Sequence, residues 1–124
     1  MINIVAVFIG GGLGSLFRYG IAQWLAPYKL NFPYATIIAN ILACFVLGFF
    51  LAFTLKTEMP TAQKLFFMVG FCGGFSTFST FTAETFHLMQ AGNYTYAFLN
   101  IACSLLLCLI SLYAGLLVGK MLVN

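Results

Sequence analysis

The feature that most constrains this chain is how far apart its charged residues stand. Five basic and two acidic residues are spread over 124 positions. They leave uncharged runs at Leu30–Leu55, Leu65–Ala83 and Leu88–Gly119, and a further apolar run precedes Arg18. A helix needs about 20 apolar residues to cross a bilayer, and each of the three runs is near that length or longer. The spacing of the charges therefore predicts a protein that lies in a membrane.

The composition excludes a soluble domain, because 63% of the residues are hydrophobic and 6% are charged, too few to cover a surface in water. The first apolar run has two interpretations. A signal peptide would begin with positive charge and end at a small-residue cleavage site, and neither is clear here. We therefore interpret the run as a retained helix, which gives spans at about residues 3–25, 32–54, 64–87 and 96–121. The predicted fold is an all-α membrane protein, with a single four-helix transmembrane domain over residues 1–124.

The stretch Gly70–Phe81 departs from an ordinary membrane helix. Gly73-Gly74 removes two side chains, and hydroxyl residues crowd the positions that follow. In lipid, a backbone that departs from helix is tolerated only where protein or a water-filled cavity covers it. Ser-Thr-Phe occurs twice in succession, which places Phe78 and Phe81 about 4.5 Å apart along a helix axis and on nearly the same side. The pattern predicts either a helix broken at Gly73-Gly74 beside two stacked rings, or a close-packing notch between helices.

Isolated polar residues within or near the spans are candidates for function. Arg18 either reaches the membrane interface with its charged end or faces a water-filled pocket, where it would concentrate anions. Asn40 is the only strongly polar side chain in the second span, and it either bonds to a neighbouring helix or lines a substrate path. Glu84 and His87 lie at the end of the third span, where ionisable groups are usually interfacial. With no second His or Cys in reach, a metal site there has little support.

Small residues in the first and last spans have packing interpretations as well. Gly10 with Gly14 fits the small-xxx-small pattern of close helix packing, and no Gly-Lys-Ser/Thr ending supports a phosphate-binding loop. Mildly polar residues recur at helical spacing in the last span and form a stripe. The stripe predicts either interhelical hydrogen bonds or the wall of a water-filled cavity. The stripe consists of Asn100, Ser104, Cys108 and Ser111. The four cysteines lie in apolar runs without metal-ligand spacing, and we interpret them as small core residues.

The chain is too small to enclose a pore alone, since four spans in 124 residues leave little interior. We therefore expect an oligomer. The net charge of +3 is modest, and its lysines lie in short connections, where they influence membrane orientation rather than bind nucleic acid. Lys56, Lys64 and Lys120 fall on one side of the membrane, and Lys29, with or without Arg18, falls on the other. This bias is weak, so the chain is expected to insert both ways and to assemble as an antiparallel pair.

These motifs together resemble the Fluc (CrcB-type) fluoride channels of microorganisms. The resemblance covers essentially the whole chain: Gly10–Gly14 with Arg18-Tyr19, then Asn40 in the second span, then Gly70–Phe81 in the third. The glycines of the third span, joined to the run of serine, threonine and phenylalanine that follows, are far more specific than glycines alone. The resemblance therefore favours a functional role for this stretch over a packing notch.

The resemblance implies an antiparallel, dual-topology homodimer with two pores, each lined by both subunits. It implies that Phe78 and Phe81 line the fluoride path and that Asn40 is the pore asparagine. The positions of the polar lining beyond them are occupied by Ser79, Thr80 and Glu84.

A structural sodium ion at the dimer interface is implied as well. In the family, backbone carbonyls from the broken third helix of each subunit hold this ion, and the matching positions are Gly73 and Ser76. Threonine is more usual where this chain has Ser76. Because the ligand is a carbonyl oxygen, the exchange of threonine for serine should matter little.

The implied function is passive export of fluoride across the bacterial inner membrane, which confers fluoride resistance and involves no enzymatic step. A small proton-coupled transporter of the multidrug type is the alternative, and a structural membrane subunit is a third possibility. A coupled transporter usually carries its proton on an ionisable residue at membrane depth, whereas Glu84 and His87 lie near a span end. The expected partners are fluoride, a second copy of the chain and membrane lipid, but no nucleic acid.

Overall fold

The structure is a computed structural model that describes residues 1–124, and it is entirely helical. Helix α1 covers Ile2–Leu25 and continues into a 3-10 turn at Ala26–Tyr28. Helix α2 covers Tyr34–Lys56, and the long last helix, α6, covers Tyr94–Val123. Between them lie four shorter helical segments: α3 at Thr61–Lys64, a π-helical segment at Leu65–Phe71, α4 at Cys72–Phe75 and α5 at Phe78–Gln90.

Four of these helical stretches are long and apolar enough to cross a membrane, namely Ile2–Tyr28, Tyr34–Lys56, Thr61–Gln90 and Tyr94–Val123. The prediction of an all-helical protein with four spans is therefore confirmed. The observed spans begin and end within three residues of the predicted limits. Prolines precede α2 and α3, and Gly92 takes a positive φ of 80° in the turn before α6.

Glycines allow the helices to approach until their backbones touch. Gly10 and Gly14 are buried in α1 and pack on the π-helical segment and α4, which confirms the close packing predicted for this pair. On the other side of the molecule α2 packs on α6. A Cβ atom on Gly48 would collide with the carbonyl oxygen of Leu112, and one on Gly115 would collide with that of Phe45. These contacts leave no room for side chains between the paired helices.

Most large apolar side chains point outward. Only 19 of the 124 residues are buried within one chain, so the interior formed by a single chain is small. Three buried apolar side chains, Ala39, Ala43 and Phe75, form one cluster between α2 and α4. Phe75 thereby holds the end of α4 against the middle of α2, at the level where the third span changes its backbone conformation.

The predicted location of the helix break is wrong by a few residues. Gly73 and Gly74 keep helical conformation inside α4, whereas Ser76 has φ −76° and ψ 156° and Thr77 has φ −150° and ψ 116°. The helix therefore tolerates the two glycines and stops at the hydroxyl residues after them. Gly74 fits the packing notch, because a Cβ atom there would meet the backbone of Gly11, but Gly73 has open space within 4 Å of its Cβ position.

Candidate functional site

The candidate site is built around the extended residues Ser76 and Thr77, which separate α4 from α5. Asn40 of α2 lies opposite Thr77 and forms two hydrogen bonds with its backbone. The Thr77 N–H donates to Asn40 Oδ1 over 2.7 Å, and Asn40 Nδ2 donates to the Thr77 carbonyl over 3.3 Å. Thr77 is buried, with 6% of its surface exposed, so these backbone groups would otherwise lack a partner away from water. Of the two interpretations of Asn40, the bond to a neighbouring helix is observed, and it leaves one amide N–H of Asn40 unused.

The start of α5 presents further donors. The Thr77 hydroxyl caps the helix by accepting a hydrogen bond from the Thr80 N–H over 3.2 Å, and it lies 3.4 Å from the Ser79 hydroxyl. The backbone N–H groups of Phe78 and Ser79 have no hydrogen-bond acceptor within the chain. Free N–H groups at the first turn of a helix carry partial positive charge, which favours an anion nearby.

The end of α4 presents the opposite polarity. The carbonyl oxygens of Gly73, Gly74, Phe75 and Ser76 accept no hydrogen bond within the chain. The Ser76 hydroxyl is already used, because it donates to the Cys72 carbonyl over 2.8 Å. Free carbonyl oxygens are hard ligands that suit a small cation. The interruption thus places cation-type ligands immediately before anion-type donors along the chain.

One cavity of about 210 Å³ opens beside Asn40. The two phenylalanines of the repeated Ser-Thr-Phe motif line it, with ring centroids 5.6 Å apart and planes tilted by 39°. Phe78 is 78% exposed in the single chain, whereas Phe81 is half-buried. The cavity is completed by Cys44, Ser76, Thr77, Ser104, Leu105 and Cys108. Asn40, Phe78 and Phe81 are therefore brought together, as neighbours in one cavity.

A second cavity of about 320 Å³ lies on the other side of Thr77, which lines both. Arg18, Thr80 and Glu84 line this second cavity. The Thr36 hydroxyl donates to Glu84 Oε1 over 2.8 Å, while Glu84 Oε2 has no hydrogen-bond partner. Of the two positions considered for Arg18, the membrane interface and a pocket, the structure places it in the lining of a cavity.

Two predicted site residues lie apart from these cavities. Ser79 and Gly73 are exposed on the surface of the single chain and line neither cavity. His87 lines a third cavity with Glu84, together with residues of the connection before α2.

The polar stripe of α6 bonds to its neighbouring helices. Asn100 Nδ2 donates to the Thr85 hydroxyl over 2.8 Å, and the Ser111 hydroxyl donates to the Ile41 carbonyl over 2.7 Å. The Ser104 hydroxyl is 3.4 Å from Asn100 Oδ1 and also lines the first cavity. The stripe therefore forms interhelical hydrogen bonds, and one of its members also lines a cavity wall.

Two residues of the site were not singled out from the sequence. Thr77 is central because its backbone bonds to Asn40, its hydroxyl caps α5 and the residue lines both cavities. A threonine just before the first apolar residue of a helix is an N-cap signal, and the sequence displays it at Thr77-Phe78. Thr36 carries no comparable signal, since its bond to Glu84 joins residues 48 positions apart.

Comparison with known proteins identifies the family of this chain. The family model described as CrcB-like protein, Camphor Resistance (CrcB), matches residues 5–116. A relative from Geobacter metallireducens, named fluoride-specific ion channel FluC, is 36% identical over 122 residues, covering 97% of this chain and 98% of the relative. Relatives with the same name come from Magnetococcus marinus, 40% identical with 96% and 98% covered, and from Methanocaldococcus jannaschii, 41% identical with 91% and 90% covered. Because these matches extend over nearly the whole chain, the protein belongs to the CrcB-like family.

Proposed function

We propose that this protein is a fluoride-selective channel that lets fluoride leave the cell passively and is not an enzyme. The observation that carries the proposal is the cavity in which Asn40, Phe78 and Phe81 meet beside the free N–H groups of α5. The relatives' name, fluoride-specific ion channel, supports the identity of the ion. Export of fluoride across the inner membrane would lower its concentration in the cytoplasm and thereby its toxicity.

Fluoride is small and strongly hydrated, so a path must replace its water with hydrogen-bond donors. The unused N–H of Asn40 and the backbone N–H groups at the start of α5 are such donors. The rims of the Phe78 and Phe81 rings add positive potential, because an aromatic ring is negative on its face and positive at its edge. A larger halide is expected to need a wider path than fluoride does.

The second cavity is proposed as the polar approach to this path. Arg18 attracts anions to it, and Thr80 supplies a hydroxyl donor. The hydrogen bond from Thr36 holds one oxygen of Glu84 in place, so the carboxyl group stays at the wall of the cavity. Ser79 is exposed at the start of α5 and is proposed to line the path only where a second chain covers it.

An antiparallel homodimer of chains inserted in both orientations would complete the pathway. Phe78 is 78% exposed in one chain, so the cavity that it lines is open on one side, and a second chain would enclose it. The weak bias of lysines between the two sides of the membrane allows both orientations.

A structural sodium ion fits the same assembly. The free carbonyl oxygens of Gly73 and Ser76, with Gly73 exposed at the surface, are available to a cation shared with a second chain. A bound sodium ion would supply positive charge that offsets the carbonyl dipoles meeting across the interface. Because the Ser76 hydroxyl already bonds to Cys72, the backbone oxygen is the proposed ligand at that position.

The function is tested by fluoride flux from liposomes that contain only the purified protein. We expect fluoride to leave down its gradient at the same rate with and without a proton gradient, and chloride to be retained. Flux that requires a proton gradient would favour the coupled transporter instead. Absence of anion flux from folded protein would favour a structural subunit.

Replacing Phe78 or Phe81 with isoleucine is expected to reduce fluoride flux at least tenfold, which corresponds to a barrier about 1.4 kcal/mol higher. Isoleucine retains bulk but has no polarised ring edge, so the folded protein should persist. Phe98→Ile is the matched control, because Phe98 is an exposed phenylalanine of α6 that lines neither cavity. Flux equal to wild type in both cavity variants would show that the rings only fill space.

Insertion in both orientations is tested with Glu58→Cys, which places a thiol in the exposed connection between α2 and α3. A membrane-impermeant thiol reagent should label about half of the chains from outside sealed vesicles and the remainder only after lysis. The protein without the added cysteine measures the background from its native thiols. Complete labelling from one side in active vesicles would contradict an antiparallel dimer.

A further inference from the structure

We propose that Cys44 and Cys108 form a two-thiol site for a soft metal ion of the copper(I) or silver(I) class, and that its occupancy stops fluoride movement. Both cysteines line the cavity that contains Asn40, Phe78 and Phe81. The effect on flux rests on the proposed function, whereas the binding of the metal does not. The sequence shows no such site because the two residues are 64 positions apart.

The two cysteines line one cavity because of where they lie on their helices. Cys44 comes one turn after Asn40 in α2, and Cys108 comes one turn after Ser104 in α6. Residues four positions apart share one face of a helix, and Asn40 and Ser104 both line the cavity. Cys44 and Cys108 line this same cavity.

The packing of α2 on α6 keeps the two cysteines together. One turn beyond each cysteine, Gly48 contacts the carbonyl group of Leu112 without any side chain between the helices. The Ser111 hydroxyl also donates to the Ile41 carbonyl over 2.7 Å. Backbone contact and a hydrogen bond between the same two helices hold the thiols as a preformed pair, which binds a shared ion more tightly than separate thiols do.

The set of ligands selects the kind of metal. No group of three or more His, Cys, Asp or Glu side chains is placed to hold a metal ion, so ions that need four ligands, such as zinc, are poorly served. Soft thiolates favour copper(I), which, like silver(I), is stable with two ligands in line. Binding exchanges two thiol protons for one monovalent cation and changes no oxidation state.

The bound ion obstructs fluoride in two ways. It fills part of a cavity of only about 210 Å³. A monovalent cation held by two thiolates also carries a net charge of −1, and this charge repels an anion that shares the same cavity. A hard cation such as sodium has little affinity for sulfur and should not have this effect.

The test uses the full-length protein in chloride-free buffer with silver nitrate as the probe. Silver that stays bound after dialysis against excess free cysteine is counted per chain, because a single thiol loses its silver to this competitor and a preformed pair retains it. We expect wild type to retain one ion per chain, and Cys44→Ser and Cys108→Ser to retain none. Cys103→Ser, which removes a half-buried thiol of α6 outside the cavity, should behave like wild type.

The same proteins in liposomes report the effect on transport. Silver should reduce fluoride flux roughly tenfold or more in wild type and Cys103→Ser, and it should leave the flux of Cys44→Ser and Cys108→Ser at each variant's own silver-free rate. Retention of silver by either cavity variant, or its loss in Cys103→Ser, would overturn the assignment of the site. Silver retained by wild type with undiminished flux would overturn the proposed block. If the wild type carries no fluoride at all, the silver count still decides whether the site exists.

Discussion

Replacing Asn40 with leucine is expected to lower the free energy of unfolding by about 2 kcal/mol or more and to abolish fluoride flux. Leucine is similar in size but cannot form hydrogen bonds. The N–H and carbonyl groups of Thr77 would then be buried without partners, and each unpaired buried group costs about 1–3 kcal/mol. The same substitution removes the unused amide N–H that we assign to fluoride. Unfolding of the purified protein in detergent and flux from liposomes measure the two effects separately.

Thr54→Val is the matched control for Asn40. Thr54 also lies in α2, but its hydroxyl bonds only to the Leu51 carbonyl of the same helix. Loss of the Thr54 hydroxyl should change neither the fluoride flux nor the cooperativity of unfolding. If Asn40→Leu were as stable and as active as the control, the two hydrogen bonds to Thr77 would not hold the interruption open. If Asn40→Leu were stable but carried no flux, Asn40 would be needed for binding fluoride and not for holding the fold.

Placing valine at Gly74 is expected to prevent the chain from folding, whereas valine at Gly73 should allow each chain to fold and should prevent the dimer. A Cβ atom on Gly74 would collide with the backbone of Gly11, which cannot move aside as a side chain can. Overpacking of a core typically costs about 1–3 kcal/mol, and a collision with backbone lies at or beyond the upper end of that range. The Cβ position of Gly73 is open within the chain, so only a second chain would meet the added side chain.

Ser76→Ala completes the comparison. Its hydroxyl bonds to the Cys72 carbonyl of its own helix, so alanine should retain the proposed cation, the dimer and the flux. For all three variants we would measure the mass of the assembled protein in detergent, which reports the dimer, and the fluoride flux. Both are measured first in sodium and then in a large organic cation. If the Gly73→Val protein remains dimeric and active, Gly73 does not lie in the dimer interface. Loss of function in Ser76→Ala would show that the hydroxyl, rather than the backbone oxygen, is required.

The four spans were predictable because the membrane imposes a requirement that each segment meets by itself. Every backbone group in lipid must find its partner within its own helix, and about 20 apolar residues are needed to cross. Both conditions concern neighbouring residues, so they are visible in the spacing of the charged residues. These are Arg18, Lys29, Lys56, Glu58, Lys64, Glu84 and Lys120. The packing role of Gly10 and Gly14 was also predictable, because small residues four positions apart create a flat face whatever the neighbour is.

The position of the helix interruption was decided by tertiary contacts. The glycines made Gly73-Gly74 the expected break, since glycine is the weakest helix former in that stretch. Their cost as helix residues is offset because Gly74 packs directly on Gly11. Thr77 is extended instead, because Asn40 from another helix satisfies its backbone N–H and carbonyl groups. A side chain 37 positions away thus determines where the helix stops.

Only the tertiary structure decided which polar and thiol side chains meet. Asn40 with Thr77, Thr36 with Glu84 and Cys44 with Cys108 are each far apart in sequence and belong to different helices. The sequence by itself determined the residue types present and the faces of the helices on which they lie. It could not determine which faces pack together, because lipid-exposed and protein-facing surfaces are both apolar here and no hydrophobic pattern distinguishes them. The neighbour of each helix is chosen by backbone contact at glycine, and that choice places the two cavities on either side of Thr77.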